Sequence, residues 1–536
     1  MLTPTDDYER LYAEFRWEIP ARFNIAQVCC DRHVGAGRLA LIDVDERGAA
    51  RHVGFDEIAD FSRRFANVLG AAGLVRGDRV AVFLSQSLEL PVAHLAAFRA
   101  GLVSVPLFTL FGEDALAFRL DNSGARAVVT DAAGFAKLAP LLPGLPQLEH
   151  VYVIGDGAPP AGASSFWLAI GEASPGYLNA DTGPDDPAII IFTSGTTGNP
   201  KGALHGHRVL LGHLPCVEMV HDFFPKPADV YWTPADWAWI GGLFDALFPA
   251  WYHGVPIVAH RARKFEPQAA MQLMADHGVR NVFLPPTALK LMRQADVRHD
   301  GVKLRSILTG GESLGAELLG WVRATFGIDA HEIYGQTECN LVVGNNARLF
   351  PIRPGSMGRP IPGFDVRIVD EAGRELPQGE RGVIAVRAPN PCMMLEYWRN
   401  PEATAKKYAG GFLLTGDLGV CDADGYFWYV SREDDVITSA GYRIGPSEIE
   451  NTLLKHPAVA LAAVVGVPDP IRTEAIKAWI VLRPGFAPSE QLARDIQEFV
   501  KVQLSAHEYP RHVAFTDTLP MTATGKVLRR ELRNRG

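Results

Sequence analysis

Thr193-Ser-Gly-Thr-Thr-Gly-Asn-Pro-Lys201-Gly-Ala203 follows directly on an unbroken apolar run, Ala188-Ile-Ile-Ile-Phe192. The apolar run reads as a buried strand. A strand that feeds a Gly/Ser/Thr loop with one lysine turns backbone amides and hydroxyls toward phosphate oxygens. The phosphate loop of kinases and GTPases needs Gly-Lys-Ser/Thr in succession. Here Pro200 precedes the lysine and Gly202 follows it, so this is a nucleotide-phosphate cradle of another design.

Outward from this loop, strand and helix patterns alternate. Arg79–Leu84, Ala125–Thr130, Val255–Ala259, Asn281–Leu284 and Leu304–Leu308 are short apolar runs that read as strands. Ile58, Phe61, Phe65, Val68 and Leu69 recur at helical spacing, and Glu266–His277 reads as a second helix. Such alternation predicts parallel α/β sheets, more than one of them. Near residue 360 the pattern changes: Phe364–Val369 and Gly382–Arg387 read as a β-hairpin and Gly425–Val430 as a further strand. After the charged break Ser431-Arg-Glu-Asp-Asp435 comes an α+β stretch. It has helices at Ser447–Leu454 and Gln491–Val500 and strands at Val459–Val465 and Ile476–Val481. The expected fold class is α/β: a large N-terminal domain of parallel α/β sheets plus a β subdomain over 1–433, and a small α+β C-terminal domain over 434–536.

Composition limits the function classes. The 536 residues with 47% hydrophobic content suffice for several cores. A net charge of −9 without a basic tract argues against nucleic acid as a partner. Cys29, Cys30, Cys216, Cys339, Cys392 and Cys421 show neither metal spacing nor disulfide density. The polar Met1–Arg10 is unlike a signal peptide, and no run approaches the ~18 apolar residues of a membrane span. A cytoplasmic location, with no membrane span, is expected.

Several polar clusters follow strand-like runs, where open α/β sheets bind ligands. They are Gly310-Gly311-Glu312, Tyr334-Gly335-Gln336-Thr337-Glu338 and Thr415-Gly416-Asp417, the last read as a loop before the final strand of the large domain. Taken alone, Asp417 is a turn residue, Glu338 and Arg432 are surface charges, and Lys526 is one cation among Arg529, Arg530 and Arg533. Order and spacing reverse these readings. The loop, Tyr-Gly-Gln-Thr-Glu, Thr-Gly-Asp, Arg432 and Pro520-Met-Thr-Ala-Thr-Gly-Lys526 resemble, over nearly the whole length, the adenylate-forming superfamily. Within it, the chain is similar to AMP-forming acyl-CoA synthetases of the acetyl-CoA and medium-chain branch.

The resemblance implies two half-reactions. A carboxylate attacks the α-phosphate of ATP to give acyl-AMP and pyrophosphate; the coenzyme A thiolate then displaces AMP. The first step brings two anions together, so cations and directed donors must offset their repulsion. Lys201 and the hydroxyls of Thr193, Ser194, Thr196 and Thr197, with Gly195 and Gly198, would take the β- and γ-phosphates. Glu338 would hold Mg²⁺ and Thr337 the α-phosphate. Gly311, Glu312 and Tyr334 would form the adenine pocket, Glu332, Gly335 and Gln336 would also contact ATP, and Asp417 with Arg432 would form the ribose side. Lys526 would bridge carboxylate and α-phosphate. Rotation about a hinge at Asp434 would replace it with the segment Ala440-Gly441-Tyr442-Arg443 for coenzyme A, where Gly441 permits close approach. Arg472, Lys501 and Arg511 are candidates for the coenzyme's phosphates. Acetylation of Lys526, as at similar sites in this family, would remove its charge and block adenylation.

For the acyl group, acetate-restricted relatives place a tryptophan before Gln-Thr-Glu, whereas this chain has Gly335. With Gly310, Ile240, Gly241 and Gly242, that implies an apolar pocket with room beyond two carbons. Trp237 and Trp239 either line it or belong to the core. Each further buried methylene adds ~0.8 kcal/mol, so short-to-medium-chain or branched acids are expected. The alternatives are an aryl acid such as benzoate, acetate or propionate, or delivery to a carrier protein. Two features are set aside. Ser313 imitates a carrier attachment serine but follows a core strand. His205 and His207 lack the partners of a metal site, and a solvated or hydrogen-bonded role is expected for them.

Overall fold

The computed structural model describes the chain except residues 156, 194–199, 263, 312–313, 433–434, 440–441, 470–472, 504–508, 522–525 and 536, and the side chains at 438, 442, 443, 448 and 473. The chain forms two compact units. The first comprises Met1–Arg353, Gly358–Asp365 and Ala388–Lys406; the second comprises Pro354–Met357, Val366–Arg387 and Lys407–Gly536.

The first unit holds two sheets. In one, Val103–Pro106, Arg79–Phe83, Ala125–Thr130, His150–Val153 and Ser164–Ser165 run parallel, with Val103–Pro106 also parallel to Pro187–Thr193. Lys201–Gly206 and then Glu396–Tyr397 add antiparallel strands at its other edge. In the second sheet, Leu39–Val44, Ile257–His260, Tyr231–Trp232, Asn281–Phe283, Ser306–Gly310 and Ala330–Gln336 are parallel neighbours, and Asn340–Gly344 turns back antiparallel. Parallel strands buried on both faces need near-continuous apolar sequence, which is why the runs stood out. The strand at 257 starts two residues later than its apolar run, because Pro256 has no N–H to give the ladder. The helix Phe55–Ala71 buries Phe55, Ile58, Phe65 and Leu69 on one face, and Gly73, at φ +80°, turns the chain out of it.

The second unit contains the expected hairpin, Val366–Val369 against Arg381–Arg387. It continues antiparallel through Phe412–Cys421 and Phe427–Arg432. Thr415-Gly416-Asp417 therefore lies inside a strand, not in the expected loop. Gly416 at φ +74° and the register slip opposite Val383/Ala385 make the stretch a bulge, which imitates loop chemistry in sequence. The remainder is a sheet of Tyr442–Ile444, Ile437–Ser439, Thr473–Leu482, Val459–Asp469 and His512–Phe515. The helices Pro446–Leu453 and Glu490–Gln503 close a core that includes Ile449, Leu453, Val464, Ile480, Ile496 and Val500.

Candidate active site

In the first unit, Thr193 ends its strand and Lys201 opens the next, directly opposite in the antiparallel register. The Thr193 hydroxyl donates to the Lys201 carbonyl at 3.3 Å, closing the base of the loop. Ser194, Gly195, Thr196, Thr197 and Gly198 lie outside the described residues. The Lys201 ammonium stands 5.3 Å from the centre of the Tyr397 ring, and the Tyr397 hydroxyl donates to Glu338 Oε1. The Met394 amide donates to the Glu338 carbonyl at 2.8 Å. Tyr397 thus links a cation and a buried carboxylate that lie far apart in sequence. The strand Glu396–Tyr397 places it by pairing Tyr397 with Ala203. Sequence reading did not single it out, because a tyrosine in an edge strand has no distinguishing pattern. The carboxylate suits a hard cation, which takes oxygen ligands and tolerates a hydrogen-bonded one.

Gly310 and Ile333 are partners in the parallel ladder, and Gly311 adopts φ +96°, a conformation suited to glycine. Glu312 and Ser313 lie outside the described residues. Glu332 is buried, and its carboxylate accepts the Leu314 amide at 3.1 Å; burial pushes its carboxyl up to about 8, against the pull of that amide. Tyr334 is buried, whereas Gly335, Gln336 and Thr337 are half-buried at the end of the strand. A β-bulge at Tyr334/Gly335 brings the backbone so close that a Cβ on Gly335 would stand 1.8 Å from the Asn340 oxygen. Glycine at 335 therefore answers a backbone requirement as well as the pocket argument.

The tryptophan segment divides. Trp237 is fully buried in the core, its indole N–H without a partner among the described residues, while Trp239 is half-buried with its ring 6.4 Å from that of Phe283. Ile240 is buried, and a Cβ on Gly241 would meet the Phe283 ring edge at 3.0 Å. Burial pushes Asp236 up to about 7. His205 and His207 are buried rather than solvated. Burial holds them neutral, pushing them down to about 3 and about 4, and His207 accepts the Ile25 amide at 3.3 Å. Among the described residues no group of three or more His, Cys, Asp or Glu could hold a metal ion, and no helix is long and apolar enough to cross a membrane.

In the second unit, Asp417 and Arg432 are cross-strand partners, with Nη1 3.3 Å from Oδ1. Asp417 is buried, and its amide donates to Thr415 Oγ1 at 3.1 Å. Lys526 is exposed, immediately before Val527, which bridges to Met521. The helix Arg529–Asn534 follows. Arg529 donates to both Glu450 oxygens at 2.7 and 2.9 Å and to Asp435 at 3.2 Å; Arg533 donates to Asp435 at 3.0 Å. Lys501 pairs with Glu498 at 2.8 Å, and its ammonium lies 6.0 Å from the Tyr509 ring that Arg511 covers at 4.2 Å. Asp434, Gly441 and Arg472 lie outside the described residues, as do the side chains of Tyr442 and Arg443.

Residues 30–398 match the family described as AMP-binding enzyme, and residues 448–526 match the AMP-binding enzyme C-terminal domain. The chain is 36% identical to acetyl-coenzyme A synthetase of Bacillus subtilis, over 98% of this chain and 94% of that protein. It is 37% identical to the mitochondrial acyl-coenzyme A synthetase ACSM3 of Mus musculus, over 99% and 93%. Its fold is similar to the crystal structure of the anthranilate CoA ligase AuaEII in complex with anthranoyl-AMP. The TM-score is 0.88 and the identity 28%, over 96% of this chain and 98% of that one.

Proposed function

The chain belongs to the AMP-binding enzyme family and is an ATP-dependent acyl-CoA synthetase; we propose that it works through an acyl-adenylate on short-to-medium-chain or branched acids. The observation that carries the reading is the assembly of Lys201, Tyr397 and Glu338 at the base of the loop. It puts a cation and a buried carboxylate where a magnesium–phosphate complex requires both signs of charge.

In the first unit, Lys201, Thr193 and the loop hydroxyls hold the β- and γ-phosphates. Glu338 is the Mg²⁺ ligand, and that ion would neutralise phosphate charge when bound. Thr337 takes the α-phosphate, Gly311, Glu312 and Tyr334 hold the base, and Glu332, Gly335 and Gln336 also contact ATP. In the second unit, Asp417 accepts from the ribose hydroxyls and Arg432 fixes its orientation. Lys526 supplies the cation for adenylation; a hinge at Asp434 exchanges it for Gly441, Tyr442 and Arg443, with Arg472, Lys501 and Arg511 toward coenzyme A. The domain boundary accordingly lies at about 434. The cysteines, five buried and one half-buried and none in a disulfide, support a cytoplasmic location. Acetylation of the exposed Lys526 would switch off the first half-reaction alone.

The acyl pocket is built from Ile240, Gly241, Gly310 and Gly335, with Trp239 at its side and Trp237 behind it in the core. An aryl acid is the second reading, favoured by the anthranilate ligase likeness. Carboxylate-dependent pyrophosphate release, measured with and without coenzyme A over a panel from acetate to octanoate and benzoate, tests both. Sustained turnover should need coenzyme A, and kcat/KM should rise several-fold beyond acetate. The highest value on acetate would overturn the open pocket.

A further inference from the structure

Arg119 lies on the helix Glu113–Ser123, with only 6% of its surface exposed. Its Nη1 donates to the Ala115 carbonyl at 2.8 Å, and its Nε has no partner among the described residues. The guanidinium lies 3.9 Å over the Phe111 ring and 5.7 Å from the ring of Phe192, the residue before Thr193 at the end of the loop strand. Among the described residues no carboxylate pairs with it; burial alone acts on it, pushing its pKa down to about 10. Nor does the stretch 194–199 contain an acid. Other arginines with little exposure are compensated: buried Arg99 meets Asp31 at 2.6 Å and half-buried Arg305 meets Asp229 at 2.7 Å. Attraction to a ring face restores only part of the hydration that a buried guanidinium loses. A missing counter-anion, where the strand delivers the chain to phosphate, completes the balance.

We propose that Arg119 is a further phosphate-binding residue of this enzyme, its guanidinium pairing with a phosphate group of a substrate when one is bound. The phosphate belongs either to the nucleotide or to coenzyme A, and the proposal rests on the ligase reading above. Guanidinium–phosphate pairs are among the stronger charge-assisted hydrogen bonds.

The test compares the unsubstituted chain with Arg119→Met and Arg119→Lys. Heat stability is measured without ligand, with magnesium pyrophosphate and with coenzyme A. KM is measured for ATP and pyrophosphate in isotope exchange, and for coenzyme A in thioester formation. Removing an uncompensated buried charge should leave the unliganded Met variant as stable as the parent or more so. KM should rise about tenfold for one class of phosphate substrate, with partial recovery in the Lys variant. A rise for ATP and pyrophosphate assigns the contact to the nucleotide; a rise for coenzyme A alone assigns it to the coenzyme. A less stable Met variant with every KM unchanged would overturn the proposal and make Arg119 structural. Failure of the ligase reading would show separately, as no carboxylate-dependent exchange in the unsubstituted chain. Protection of that chain by magnesium pyrophosphate or coenzyme A, retained or lost in the Met variant, would still decide the role of Arg119.

Discussion

Two arginines, one in each compact unit, are handled in opposite ways. In the second, Arg529 is half-buried and answered by carboxylates: burial works against its charge, but Glu450 and Asp435 outweigh it and raise its pKa. In the first, among the described residues, Arg119 meets no carboxylate and no cation acts on Glu332, which burial pushes up to about 8. A buried charge that the chain neutralises itself serves the fold. One left unanswered costs stability, and such groups gather where ligands bring the missing partner. The contrast separates an arginine that serves the fold from groups that a substrate would complete.

The largest test concerns the exposed cation of the second unit. With Arg529 and Arg533 held in internal pairs, the adenylation step proposed above rests on Lys526. Lys526→Ala should lower carboxylate-dependent pyrophosphate exchange by roughly 10²–10³-fold, the scale of one lost transition-state donor. Thioester formation from supplied acyl-AMP should be spared. Equal loss in both half-reactions would remove Lys526 from the adenylation step.

Next is the unanswered acid of the first unit. The folded-state pKa of Glu332 lies above its unfolded value of 4.5, so the folded protein keeps a proton that the unfolded chain releases. The stability this provides is complete below about pH 4.5 and is lost as pH rises toward about 8. Glu332→Gln retains an acceptor for the Leu314 amide and removes the titration. Denaturant titration should show it on the order of 3 kcal/mol more stable than the parent at pH 8, and equal at pH 4.5. A parallel pH profile for both proteins would mean that Glu332 is compensated and the contrast between the units false.

Much of this was legible in the sequence. The parallel strands were, because burial on both faces demands unbroken apolar runs such as Ala188–Phe192. The order of the phosphate, Gln-Thr-Glu, Thr-Gly-Asp and lysine motifs was legible because chemistry fixes residue type at each position. Tyr397 was not, since its importance arises only when strand pairing sets it between Lys201 and Glu338. Nor was the burial of His205 and His207: periodicity shows which face a residue occupies, and here both faces are covered. The strand placement of Asp417 was missed because a glycine-containing bulge and a loop share one composition.

The smallest effect tests the answered side of the contrast. Glu450→Gln keeps an oxygen for the Val464 amide, which Oε1 accepts at 2.8 Å, but removes the charge that Arg529 meets twice. Stripping one partner from a buried pair costs several kcal/mol when the other is stranded. Here Asp435 remains 3.2 Å from Arg529, so the loss should be smaller, about 2 kcal/mol. Hydrogen exchange in the helix Arg529–Asn534 should then speed up about thirtyfold. Lys526 precedes that helix by three residues, so adenylation should fall a few-fold while thioester formation holds. The sign is the decisive part: removing charge at Glu450 must destabilise, whereas removing it at Arg119 must not. If both substitutions destabilise alike, the first unit compensates Arg119 within the chain, and no phosphate is needed to explain its burial.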